Sequence, residues 1–209
     1  MPRPIDRPLG WMVGMAVVSL LATVGLARAA LIGAPHHASQ PLPSYRLVPP
    51  FSLNDQHGRV VTRQDVEGHV WIADFIFTSC PGQCPLMTEQ MRALERTFAH
   101  DEDLRFVSFS VDPSHDTPEV LAAYAARFGA DHRWTFLTGA REAILQLCHD
   151  GFQLAVEDNP ASSHEPITHS VRMVLVDRRG TIRGYYDATD AQPLARLRHD
   201  TQRLLQEHP

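Results

Sequence analysis

Lysine is absent from this chain of 209 residues; all 19 basic residues are arginine, set against 24 acidic ones for a formal net charge of −5. That balance, with no basic patch outside the termini, argues against nucleic acid as a partner. Internal repeats are missing, and so is any glycine-rich loop of the kind that cradles a nucleotide. Cysteine is scarce: Cys80 and Cys84 form a close pair, which leaves Cys148 on its own. What remains is ordinary, 44% hydrophobic and 21% charged, enough for one domain with a substantial core.

The exception to an otherwise soluble pattern is Leu9–Ala27, an apolar run without charge that follows Arg3 and Arg7. Its length suffices to span a hydrocarbon core of about 30 Å. Basic residues ahead of it would stay in the cytoplasm and the rest of the chain would be exported. The expectation is an anchor over residues 1–34 in a bacterial inner membrane, single-pass, with the C-terminal body in the periplasm. A cleaved signal peptide is the alternative, since Ala27-Arg28-Ala29 resembles a processing site. Residues 35–50, rich in proline and polar side chains, read as a linker. His36 and His37 in it are read as solvated polar residues.

The stretch Phe75–Pro85, FIFTSCPGQCP, organises the rest. Phe75-Ile76-Phe77 closes a β-prone apolar run from Val70, a buried strand. Thr78 and Ser79 offer capping oxygens and Pro81 suits a first helical turn, so a helix is expected to open at the first cysteine. Four residues apart on one helix, Cys80 and Cys84 would share a face, about 5–6 Å between Cβ atoms. The helix N-terminus would lower their thiol pKa values. Such a pair can close a disulfide or grip a soft metal ion. A C-x-x-C spacing would read as a redox motif, and the extra residue here makes room for a metal.

Downstream, the folded body of residues 51–209 opens with a hairpin over Phe51–Thr62, its turn containing Gly58. Met87, Met91, Leu94 and Phe98 recur at helical spacing, so the two methionines are read as core rather than thioether ligands. A strand at Leu104–Val111 ends in Asp112-Pro113 and is followed by a helix to Phe128-Gly129. A strand at Trp134–Leu137 precedes a helix at Ala140–Cys148, with Cys148 on its apolar side. Glu157–Thr168 reads as a loop. Val171–Asp177 and Thr181–Tyr186 form a hairpin, and Leu194, Leu197, Leu204 and Leu205 mark a closing helix. This order predicts an α/β fold with a mixed central sheet flanked by helices, the layout of a thioredoxin-like domain.

Four pieces, FSLNDQHGRVVT, DFIFTSCPGQCP, FVSFSVDPSHDTPEVLAAYAARFG and ITHSVRMVLVDRRGTIRGYY, together resemble the Sco/SenC proteins. These are a copper-handling branch of the thioredoxin fold involved in cytochrome c oxidase assembly. The resemblance covers roughly Phe51–Leu205 and implies copper ligands at Cys80, Cys84 and His169. It places Asp112 near the metal, as a weak ligand or a residue behind the ligands. His164 is a competing histidine; the string His169-Ser170 ahead of the VLVD strand favours His169. Two thiolates select Cu(I) and an imidazole suits Cu(II), so one site can hold both states.

The function so implied is a membrane-tethered metallochaperone rather than a turnover enzyme. It would pass copper by ligand exchange, from a solvent-facing site, to the copper A centre of oxidase subunit II. Other periplasmic copper carriers or thiol reductants are further partners on this reading. The alternative is a thiol–disulfide oxidoreductase in which Cys80 and Cys84 are the catalytic redox pair that reduces the oxidase cysteines. His169 separates the two, because copper retention requires it and disulfide exchange does not.

Overall fold

The computed structural model describes residues 41–158 and 167–207, with 157–158 and 167–169 described by backbone alone. Three strands form the centre: β3 (Val70–Ile76), β4 (Leu104–Ser110) and β5 (Trp134–Thr138). β3 pairs parallel with β4, and β4 with β5. All seven residues of β3 are buried, as expected of a parallel strand covered on both faces. The N-terminal hairpin, β1 (Ser52–Asp55) with β2 (Val60–Thr62), joins antiparallel to β5. The C-terminal hairpin, β8 (Arg172–Val176) with β9 (Ile182–Asp187), joins antiparallel to β3. Among the described residues the sheet order is therefore β2-β1-β5-β4-β3-β8-β9.

Helices α1 (Gln83–Thr97) and α2 (Pro118–Phe128) connect the parallel strands, and α3 (Arg141–Gln146) follows β5. Thr117 caps α2 through Val120 N–H with Pro118 in the first turn. Gly129 ends the same helix at φ 68°, a left-handed position that favours glycine. Met87, Met91 and Leu94 line the buried face of α1, with Phe98 buried at its C-terminal end. The closing helix α4 (Ala191–Gln206) packs on β9 and β3.

Three features depart from the expected layout. The helix after β5 runs on into a π-helical turn, Leu147–Gly151, which delivers Phe152 into the core. There Phe152 meets Phe75 edge-on at 5.2 Å, while Phe75 stacks on Phe109 at 5.0 Å. The polar segment read as a loop contains two short strands, β6 (Val156–Asp158) and β7 (Ile167–His169), paired antiparallel. Packing also extends N-terminal of Phe51. Leu42 and Val48 are buried, and the segment between them exchanges backbone hydrogen bonds with Gly180 and Ile182. That segment covers the outer edge of β9, which would otherwise present unpaired backbone groups.

Among the described residues no helix is long and apolar enough to cross a membrane. The expected anchor at Leu9–Ala27, the tether histidines His36 and His37, and the competing ligand His164 all lie outside the described residues.

Candidate metal centre

The site sits where β3 and β4 end. Ile76 and Ser110 are register partners, and Val111 N–H donates to Ile76 O at 2.8 Å, which holds the two strand ends together. The chain leaving β3 carries Cys80 and Cys84; the chain leaving β4 carries Asp112. β8 runs antiparallel to β3, with Trp71 opposite Val176 and Ala73 opposite Val174. Moving back along β8 is thus moving forward along β3. The chain therefore enters β8 from the end of the sheet where β3 finishes, and His169 lies three residues before that entry, its backbone paired with Val156 in the separate β6–β7 sheet.

The helix does not open at Cys80. Its first residue is Gln83, and Gly82 before it has the non-helical angles φ −106°, ψ −103°. Thr78, read from sequence as a cap, is engaged elsewhere: its N–H and hydroxyl both donate to the Asp116 carboxylate. Cys80 closes a turn instead, its N–H donating to Phe77 O at 3.3 Å. Pro85 takes the first-turn place expected of Pro81, where a missing N–H costs nothing. Cys80 is thus a loop residue and Cys84 a helical one. Their proximity comes from the fold of the loop, not from a shared helix face. The Cys84 thiol still has the Cys80 thiol as a hydrogen-bonding neighbour.

Burial decides the electrostatics. Cys84 is 0% exposed and Cys80 only 7%. Burial pushes the Cys84 thiol well above its ordinary value, and the hydrogen bond from the Phe77 backbone opposes this without cancelling it. The expected lowering by the helix N-terminus is overturned for Cys84, because desolvation of a thiolate outweighs a helix dipole. The expected solvent-facing site is also corrected: both cysteines are buried, while Ser79, Pro81, Gly82, Gln83 and Leu86 around them are exposed. Cys148 is buried as expected, with its Sγ 3.5 Å from Leu154 O and its thiol pushed up to about 12.

Two carboxylates near the pair escaped the sequence reading. Asp74, in the middle of β3, is fully buried, and neither of its side-chain oxygens has a hydrogen bond of normal geometry. Burial pushes it up to about 7, eased by Ser108 on the neighbouring strand. A charge there raises the Cys84 thiol further. Asp116, also fully buried, accepts from Thr78 and from Ser110. An acidic residue inside an apolar strand was the available signal for Asp74; nothing local marks Asp116. Asp112, half-buried, accepts from the Ser114 hydroxyl at 2.5 Å.

Among the described side chains no third His, Cys, Asp or Glu joins the two cysteines in a metal-holding cluster. The donor set shown is two adjacent thiols at a loop–helix junction, which suits a soft ion or a disulfide.

A family model described as SCO1/SenC matches residues 39–206. A protein of Stutzerimonas stutzeri named for copper binding is 31% identical over 152 residues, 70% of this chain and 72% of the relative. The crystal structure of a SCO1/SenC family lipoprotein from Bacillus anthracis has a TM-score of 0.72 at 33% identity, covering 80% of this chain and 99% of that one. BsSco, described as a member of the Sco family of cytochrome c oxidase assembly proteins with a disulfide switch, has a TM-score of 0.69 at 30% identity. That likeness covers 80% of this chain and 98% of BsSco.

Proposed function

The chain belongs to the SCO1/SenC family, and from that premise we propose that it binds copper and serves cytochrome c oxidase assembly as a metallochaperone rather than a turnover enzyme. The observation that carries this reading is the meeting of the Cys80 and Cys84 thiols at the strand ends; the place of His169, three residues ahead of the strand that pairs with β3, supports it. Cys80, Cys84 and His169 are the proposed ligands of the copper cargo, with Asp112 tuning the site from the adjoining turn. Two thiolates favour Cu(I) and the imidazole adds a donor suited to Cu(II). Binding must displace the Cys84 proton, so copper uptake releases protons and tightens as pH rises.

Delivery proceeds by ligand exchange, the recipient being the copper A site of oxidase subunit II. Cys80, on a loop, is the ligand a recipient can displace first; Cys84 is fixed by the helix. Residues 1–34 anchor the chain in the bacterial inner membrane, and the body, which takes in the packed segment from Leu42 onward, faces the periplasm. The lipoprotein character of the Bacillus anthracis relative supports membrane attachment.

The adjacency of the two thiols also favours a second reading, thiol–disulfide exchange. One Cys thiolate would attack a target disulfide and the other would resolve the mixed disulfide. The target gains two thiols as the Cys80–Cys84 disulfide forms. The disulfide switch identified in BsSco supports this reading.

Metal analysis of the full-length chain after copper loading tests the primary reading. One copper per chain is expected, lost in Cys80→Ser and in Cys84→Ser; copper retained at wild-type stoichiometry in both would reject it.

A further inference from the structure

The two segments that carry the candidate site are tied by one buried carboxylate. Asp116 is 0% exposed and accepts three hydrogen bonds: from Thr78 N–H at 3.1 Å, from the Thr78 hydroxyl, and from the Ser110 hydroxyl at 2.6 Å. Ser110 Oγ in turn accepts from Asp112 N–H at 3.1 Å. The network therefore runs from the turn holding Asp112, through Asp116, to Thr78, two residues before Cys80.

The cysteines are held differently. Cys84 is built into α1, with Thr88 Oγ donating to its carbonyl at 2.8 Å. Cys80 has no helix around it. Its backbone is fixed by the turn to Phe77 at 3.3 Å and by the attachment of Thr78 to Asp116. A buried carboxylate is costly unless its oxygens are satisfied. Lifting the loop would strip Asp116 of two of its three donors, so the closed loop is strongly preferred.

We infer that Asp116 is a positioning residue: a latch that holds the Cys80 loop over Cys84. It sets the effective concentration of one thiol at the other and limits how fast a partner reaches the pair. This rests on the Cys80–Cys84 pair being the working site. Because Cys84 is wholly buried, exchange with a recipient requires the loop to yield, and the latch is what yields.

Two variants loosen it by different amounts. Thr78→Val keeps the backbone donor and the side-chain shape but loses the hydroxyl. Asp116→Asn keeps the shape and loses the charge. The first measurement is the equilibrium with glutathione, in which each disulfide formed in the protein consumes one oxidised glutathione and releases two reduced ones. The Cys80–Cys84 disulfide should lose ground at least threefold in Thr78→Val and about tenfold in Asp116→Asn, the latter raising the reduction potential by about 30 mV. The second is release of Cu(I) from the full-length chain to a chelator, which should accelerate by similar factors.

Lowered thermal stability with an unchanged potential and release rate would show a merely structural carboxylate and overturn the latch. Should Asp116→Asn fail to fold, Thr78→Val decides alone, and wild-type values there overturn it too. The glutathione equilibrium needs no copper. A wild-type chain that takes up no copper would therefore count against the metallochaperone reading, while the potential still decides the latch.

Discussion

Asp74 is ionisable, wholly buried and without a hydrogen bond of normal geometry to either oxygen. Its carboxyl is raised from 3.8 to about 7 by burial. The folded chain keeps a proton there that the unfolded chain has lost, so stability falls as pH rises from about 4 to 7 and levels off above. Linkage sets a ceiling of about 4 kcal/mol on that loss. Asp74→Asn, neutral throughout, should flatten the dependence: urea unfolding at pH 5 and pH 8 should differ less in the variant than in wild type. An equal slope in both would place the titration elsewhere. Cys148, held at about 12 by burial, should resist alkylation in the native protein and react only as denaturant unfolds it. Appreciable native labelling of Cys148 would contradict its place in the core.

At the scale of elements, most of the sheet was legible because its strands are apolar runs bounded by turn residues. Val70–Phe77 and Leu104–Val111 were read to within a residue of the observed β3 and β4. The start of α1 was not legible. Thr78, Ser79 and Pro81 form a good local helix opening, but the Thr78 donors are claimed by Asp116, 38 residues away in sequence. β6 and β7 were missed since their residues carry no strand periodicity and pair only with each other. The π-helical turn was equally hidden, yet it matters to packing, because it seats Phe152 against Trp71, Phe75 and Phe109. Phe152→Ala should cost about 3–5 kcal/mol in denaturant unfolding with an unchanged m-value. A loss under 1 kcal/mol would mean the site collapses around the cavity.

At the scale of the whole molecule, one end of the sheet gathers residues far apart in sequence: the cysteine loop after β3 and the Asp112 turn after β4 lie side by side, and β8 enters from that same end, three residues after His169. The resemblance brought these residues into one list; the topology supplies a reason they can meet. The proposed anchor belongs to this scale as well. Mass spectrometry of the membrane fraction should find peptides from Leu9–Ala27, and a mature chain beginning at Ala30 would instead mean a cleaved signal. The proposed completion of the copper site by His169 is tested most directly by Cu(II) charge-transfer absorption of the copper-loaded full-length chain in wild type, His169→Ala and His164→Ala. His169→Ala is expected to lose the band yet still form the Cys80–Cys84 disulfide, and His164→Ala to keep both. Loss of the band in His164→Ala with retention in His169→Ala would contradict it.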